Sequence, residues 1–558
     1  MKTIAFIALA LSVLSGPKED EVIRGAVFFS GAASVEDLDE SEAERYLELS
    51  RHPIGINSAT ASALQESGLF TPYGAAALLD YRTRHGDILS LAELSLVDGI
   101  GEETAAMLKP FVTFESYGLQ ARRISTDCSA RLAVKSEKPT GGGYGPPVFQ
   151  YGAKSSVSAP FGLDAFASVK GEAQNGAKGS FRFTASAGWS HKGWKLVAGD
   201  YSLRLGQGLC VWSGFSLSGV GSPSALSRNP TGLSVSRSYT SYMRGVAASY
   251  GRGAWNCIAA YTHPDGKASL GRLIFNAART GYSGQHSFTC IASAEQVVGG
   301  ADVKAHAGDF DLFGEAAFDL GLKGERNMKF GALAGAAWLP AYRRMLSLAL
   351  RFYQDGFDSP LSGSLRSSTR ATDEYGASLG YGDGSFALTL DAAYHPSKGT
   401  SHYKTVWSYV HTLEAGGWKF TPEVRGSLRY RPEEASKWKP DLRLDAVVGY
   451  GPWRLAGRWN GLYCKRFAWL WYVESGYEGV FRLYGRFTLF RIDDWDDRIY
   501  AYQRDGPGNF NSFAYYGRGW SASLHFRWKW VSVRVAAVLY PWSSNRSDRV
   551  EGAVQFDF

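Results

Sequence analysis

The chain has 558 residues, 45% of them apolar and 14% aromatic, with 65 Gly against 20 Pro, which is enough apolar mass for a large core and excludes wholesale disorder. The mean hydropathy is −0.20, and beyond the N-terminus no run reaches the roughly 18 apolar residues of a membrane-spanning helix, so the body reads as all-β, including a barrel that meets lipid. The formal charge of +7 hides an uneven split: between Pro17 and Ser116 there are 18 acids against seven bases, a net of −11, and Tyr117–Phe558 carries +17.

Residues 1–15 read as an export signal. Lys2 supplies the positive start, Ile4–Leu14 the apolar run, and Val13 and Ser15 the small side chains before a cut at Gly16. Residues 16–50 form an acidic linker and helix. The acids are densest from Glu36 to Glu48, where Ser34 and Asp37 resemble a helix start and Leu38, Tyr46 and Leu49 give a modest apolar stripe; the expectation is a solvated helix leading into the next domain.

From 51 to 115 the pattern is helical. Asn57 and Ser58 are placed to cap a helix through Ala61–Gln65. Ala75–Arg84 forms a second, closed by Gly86, Ser90 caps a short third, and Glu102–Leu108 forms the last, stopped by Pro110. Ile56-Asn57-Ser58-Ala59-Thr60, Tyr81-Arg82, Gly86, Ser90-Leu91-Ala92-Glu93-Leu94 and Val97-Asp98-Gly99-Ile100-Gly101 resemble the tandem helix-hairpin-helix domain of competence-type DNA receptors. The resemblance implies that the backbone N–H groups of the turn Gly99, Ile100, Gly101 and the helix after it grip a DNA phosphate without reading sequence. Two features depart from that pattern. The first hairpin has Leu69-Phe70-Thr71 where a Gly-x-Gly turn belongs, with only Gly68 nearby, and Glu102 and Glu103 sit where the phosphate would dock. Arg51–Glu115 carries eight acids against four bases, and because nonspecific DNA affinity comes from cations, DNA is disfavoured on charge and a protein-docking or structural role is favoured.

Residues 117–558 read as strands. Phe181, Phe183, Ala185 and Ala187 alternate with Arg182, Thr184 and Ser186; Leu346–Phe352 and Phe481–Leu489 repeat the pattern. Runs of nine to twelve residues with aromatics at their ends, such as Trp469, Trp471, Trp528 and Trp542, fit a membrane barrel better than a soluble sandwich. The last strand alternates through Val550, Gly552, Val554, Phe556 and Phe558 and ends on Phe, resembling the signal that the outer-membrane barrel assembly machinery recognises. The expected fold is therefore mainly β: a closed antiparallel transmembrane β-barrel of about 14–18 strands with a small N-terminal all-α helix-hairpin-helix domain. Long loops are expected at Gly214–Ser238, Gln354–Thr372 and Arg491–Gly517, and Gly199–Gly208 reads either as an inward-folded segment or as a bulged strand.

On the polar face fall Arg182, Arg351, Arg443, Arg482, Arg486, Arg527 and Arg534, a basic lumen suited to anions. The five cysteines are scattered and odd in number, so free, buried thiols are expected. Asp493, Asp494, Asp496 and Asp497 read as a solvated, salt-bridged loop rather than a calcium site. His395, His402 and His411 lie close in sequence, but no metal site, cofactor or catalytic motif is expected. The expected location is the outer membrane of a Gram-negative-type cell, with the module in the periplasm or the barrel lumen. The expected partners are outer-membrane lipid and lipopolysaccharide, and a periplasmic protein. The expected role is a channel or transport protein for DNA or another anionic cargo; a membrane-anchored nucleic-acid-binding protein or a structural barrel is the alternative.

Overall fold

The computed structural model describes residues 19–38, 40–115, 124–139, 141–159, 162–174, 177–214, 221–236, 243–263, 271–323, 327–341, 344–543 and 546–558. The export signal lies outside the described residues.

Six helices come first: α1 (Glu19–Ser30), α2 (Glu40–Arg51), α3 (Ala61–Ser67), α4 (Pro72–His85), α5 (Leu91–Leu94) and α6 (Gly101–Leu108). Side-chain oxygens close three helix starts, each accepting the backbone N–H three residues on: Thr60 for α3, Thr71 for α4 and Ser90 for α5. Asn57 is not the cap. Its amide instead bonds Ile88 through both N–H and C=O and also reaches the Phe114 carbonyl, tying the start of the module to its end. Ile54–Gly55 and Val112–Thr113 pair as a short parallel ribbon. Tyr46 from α2 and Val22 and Ala26 from α1 share one buried core with Ile56, Leu64, Leu78 and Phe111. The acidic segment is therefore part of the module and is not a solvated lead-in.

The body is a closed antiparallel barrel of 24 strands, from Ser125–Lys138 to Asp548–Asp557, with the first strand paired to the last (Ala130 to Phe556, Lys138 to Asp548). The fold class is as expected, but the strand number is higher than 14–18. That estimate allowed for long connections, whereas most are tight. Left-handed glycines turn the chain in two residues at Lys192-Gly193, Gly308-Asp309 and Gly451-Pro452. Side chains alternate as a lipid-facing wall requires: Leu346, Leu348, Leu350 and Phe352 are exposed on the outside, while Ser347, Ala349 and Arg351 are buried within. This outward apolar belt on a closed ring places the barrel in the outer membrane. All the longest connections leave the end opposite the two barrel termini, so the termini face the periplasm.

A ring of 24 strands is too wide for its own side chains to fill; barrels of 22 strands already hold a plug. Two kinds of chain occupy the lumen. Three long connections, 205–242, 354–373 and 493–516, lie where long loops were expected, and parts of each turn inward, burying Leu205–Val211, Leu226, Ser364, Gln503 and Arg504. The strand Trp194–Arg204 leaves the wall past Gly199 (φ +95°), and Leu205, Leu209, Cys210 and Val211 bury against Ile258, Ile274, Ile291 and Val298. The wall carboxylate Glu315 accepts the N–H groups of Gln207, Leu209 and Cys210 at 2.7–2.9 Å. Gly199–Gly208 is thus the inward-folded segment. The helical module provides the rest of the filling. The five cysteines are free, but only Cys210 and Cys464 are buried. Asp497 accepts three backbone N–H groups from Cys464, Lys465 and Arg466, and Asp496 pairs with Lys465 at 2.8 Å, so this acidic loop is salt-bridged.

Candidate functional site: the interface between the acidic module and the basic lumen

The acids of the N-terminal region pair with cations of the wall and of the inward loops. Glu36, in the turn before α2, sits between Arg443 (2.8 Å) and Arg458 (2.5 Å) and also accepts the Tyr502 N–H at 3.1 Å. Asp445 closes the square, 2.6 Å from Arg458 and paired with Arg443. At the start of α1, Asp20 holds Arg504 (2.7 Å) and Arg454, and Glu19 reaches Arg504 (3.1 Å) and the Tyr502 hydroxyl (2.7 Å). Glu474 of the wall gathers Arg454, Arg486 and Arg504 within 3.1 Å. From α2, Glu42 pairs with Arg204 and Glu44 with Lys154 (2.7 Å); from α3, Glu66 pairs with Lys195.

The pairs at Glu36, Glu44 and Glu474 are buried, and charges taken out of water are costly unless paired and hydrogen-bonded. Burial pushes the Glu36 carboxyl upward, but Arg443 and Arg458 outweigh it and hold the group well below the usual carboxylate range. Asp20 is lowered in the same way by Arg504 and Arg454, and Glu42 by Arg204 and Arg45, in each case against burial.

The seven arginines read from the sequence all sit on the inward row of their strands, but in different surroundings. Arg351 pairs with Glu374 and Asp391, Arg443 with Glu36 and Asp445, Arg486 with Glu474, and Arg534 with Glu551. Arg482 and Arg527 are cross-strand neighbours, and the exposed Arg182 lies across from Lys170. Arg443 meets the N-terminal region directly through Glu36, and Arg486 only indirectly, through the Glu474 that it shares with Arg454 and Arg504; no ion pair joins Arg182 or Arg351 to either of them among the described residues. Sequence reasoning missed Arg454, Arg458 and Arg504. The first two share the inward row of Trp453–Tyr463 with Asn460, so parity alone would have found them, whereas Arg504 lies on an inward loop with no periodic signal.

Gly99 and Gly101 have φ of +74° and +70°, and Ile100 between them is buried, which is hairpin geometry. The turn sits at the periplasmic end of the barrel, and Gly99 is exposed. The Tyr73 ring beside Gly99 stacks on His306 of the wall (3.8 Å between centroids) and meets Tyr282 edge-on. Gly99, Ile100 and Gly101 line a cavity of about 1310 Å³, which reaches the turns at Gly308 and Gly384, together with Lys304, Arg344 and Arg425. At the first hairpin the Arg45 guanidinium binds the Glu66 and Ser67 carbonyls, so a protein cation occupies that tip. His395 and His402 meet at 3.1 Å, while His411 is at the other end of its strand.

Residues 50–113 match the helix-hairpin-helix motif family. No curated protein shows significant similarity to the chain. Among solved structures, the chain is similar to the P pilus usher (PapC) translocation pore (11% identity, 77% of this chain and 99% of that one, TM-score 0.43). It is also similar to Pseudomonas aeruginosa OpdQ (9%, 78% and 98%, 0.32) and Acinetobacter baumannii OccAB4 (8%, 79% and 99%, 0.31).

Proposed function

We propose that this chain is a gated outer-membrane channel in which the acidic N-terminal region is the plug of a basic lumen. The observation that carries the reading is the seat of Glu36 between Arg443 and Arg458, repeated at Asp20, Glu42 and Glu44. A body at +17 opposed by a head at −11 attracts anions once the head withdraws, because a ring of arginines lowers the energy of an anion in a narrow pore. The cargo class is therefore anionic. The cavity beside the plug, with Lys304, Arg344 and Arg425 in its wall, is where such a cargo would first meet the gate.

Withdrawal needs a force from the periplasm. Leu89 and Leu96 are 74% and 75% exposed on the module, among Asp87, Glu93 and Asp98, and this surface suits a periplasmic protein partner with a basic rim. DNA binding is the second reading, supported by the positive φ of Gly99 and Gly101, but the turn stands beside the acids Asp98, Glu102 and Glu103. The test is single-channel recording of the full chain against the triple variant Asp20→Asn, Glu36→Gln, Glu42→Gln. The variant should open more often and pass anions; unchanged silence in the variant would overturn the gate.

A further inference from the structure

A second group of cations meets the module beside Glu42. Arg204 ends the strand Trp194–Arg204, Trp212 and Arg228 come from the inward connection 205–242, and Lys304 comes from the wall strand Gln296–Ala307. The two guanidinium groups share the Trp212 indole, their central carbons 5.6 and 4.6 Å from the ring centroid. Lys304 is 6% exposed and donates to the Arg228 carbonyl (3.0 Å) and to Asn229 Oδ1. Arg45 of α2 completes the group, 3.7 Å from Glu42.

Four cations thus gather around one carboxylate. Glu42 gives one oxygen to Arg204 and the other to Arg45. Lys304 has only a carbonyl and an amide oxygen as acceptors, and no carboxylate pairs with it among the described residues. The other acids nearby are engaged elsewhere. Asp302 accepts from Ser287, Glu315 accepts the N–H groups of Gln207, Leu209 and Cys210, and Asp311 pairs with His306. Burial, then Arg366 and Arg204, push the Arg228 guanidinium down to about 10, so a cation here is short of counter-charge.

Two oxygens sharing a single charge cannot serve four cations. A phosphate group brings a charge of about −1.5 to −2 at pH 7 and three strong acceptor oxygens, which match the forked donors of guanidinium and the point charge of an ammonium. There is room for one: Glu42, Arg45, Arg204, Trp212, Arg228 and Lys304 all line the cavity that reaches the periplasmic turn at Gly308. The cluster is therefore approached from the periplasmic side.

We propose that Arg204, Arg228 and Lys304 form a binding site for a phosphate-bearing anion, and that Glu42 of the plug sits in this site as a competitor. The inference rests on the plug reading and adds a ligand to it. By linkage, whatever factor the seated Glu42 costs the anion, the anion costs the seating of Glu42. The Glu36 and Asp20 pairs stay in place, so the anion loosens one anchor of the module and leaves less for a periplasmic partner to pull free.

The test is pyrophosphate binding by the full chain in lipid nanodiscs, measured by calorimetry at constant ionic strength, together with hydrogen exchange on peptides spanning 40–51. Pyrophosphate should speed wild-type exchange across 40–51 beyond what KCl of the same ionic strength does. Glu42→Gln removes the competitor and should bind pyrophosphate at least about tenfold tighter than wild type, a gain that a misfolded barrel cannot give. Adding Arg228→Gln or Lys304→Gln to Glu42→Gln should abolish that gain. An affinity of Glu42→Gln within about twofold of wild type overturns the proposal. So does equal exchange in the two salts, or a gain that survives both added substitutions. Conductance is not read, so tight binding by Glu42→Gln upholds the site even where the channel stays shut, and loss of the site leaves the conductance test of the plug to stand by itself.

Discussion

Glu36 pairs with two wall arginines at once, Arg443 and Arg458. Replacing it by Gln leaves Arg443 and Arg458 buried against each other with Asp445 as their shared counter-charge. Breaking one side of a buried pair costs about 3–5 kcal/mol, and the seating of the module should weaken by about that amount, read as faster hydrogen exchange across 31–51. The pH dependence follows from the depressed carboxyls of Asp20, Glu36 and Glu42. A lowered folded value stabilises the seated state at all pH values above the free value near 4.5, and this stabilisation is lost as pH falls through the folded values. Seating should therefore be constant from pH 8 to about 5 and fail only in stronger acid. Failure near neutrality would contradict the pairing. The inward arginines were legible because strand parity fixes which way a side chain points. Their partners were not, since Glu36 and Arg443 lie about 400 residues apart and nothing local joins them.

Among the elements, the helical module was legible from its Ser90 cap and its turn glycines, although the first cap is Thr60 and not Asn57 or Ser58, and its extent shows from its packing alone. Tyr46 of α2 and Gly25 of α1 pack against Phe111, so the fragment 51–115 lacks part of its core. Fragment 19–115 should melt cooperatively and at a higher temperature than 51–115 by circular dichroism; equal melting would contradict a shared core. Within the second hairpin, a Cβ on Gly99 would stand 2.7 Å from the Tyr73 ring, whereas one on Gly101 meets nothing. Both positions pay about 1–2 kcal/mol for left-handed backbone. Gly99→Ala should therefore lower the melting temperature of fragment 19–115 more than Gly101→Ala does. The same fragment should bind duplex DNA no better than high-micromolar at physiological salt by electrophoretic shift, since its carboxylates oppose the phosphates. The strand number escaped the sequence because it depends on turn tightness, and a positive-φ glycine in a two-residue turn looks like any other glycine in a chain with 65 of them.

At the scale of the whole molecule, the opposed charges of head and body become a single design: a wide barrel, a complementary acidic plug, and inward loops that fill the rest. The barrel architecture was legible from alternation and aromatic placement, and so was the sign of each charged half; which of the two expected places, periplasm or lumen, the acidic half takes was not. The most direct measurement compares the full chain with a deletion of residues 19–115 in a planar bilayer under a KCl gradient. A plugged basic channel predicts little conductance from the full chain and a large conductance from the deletion, with a reversal potential on the anion side. Equal conductance from both proteins, or a cation-selective pore after deletion, would contradict it.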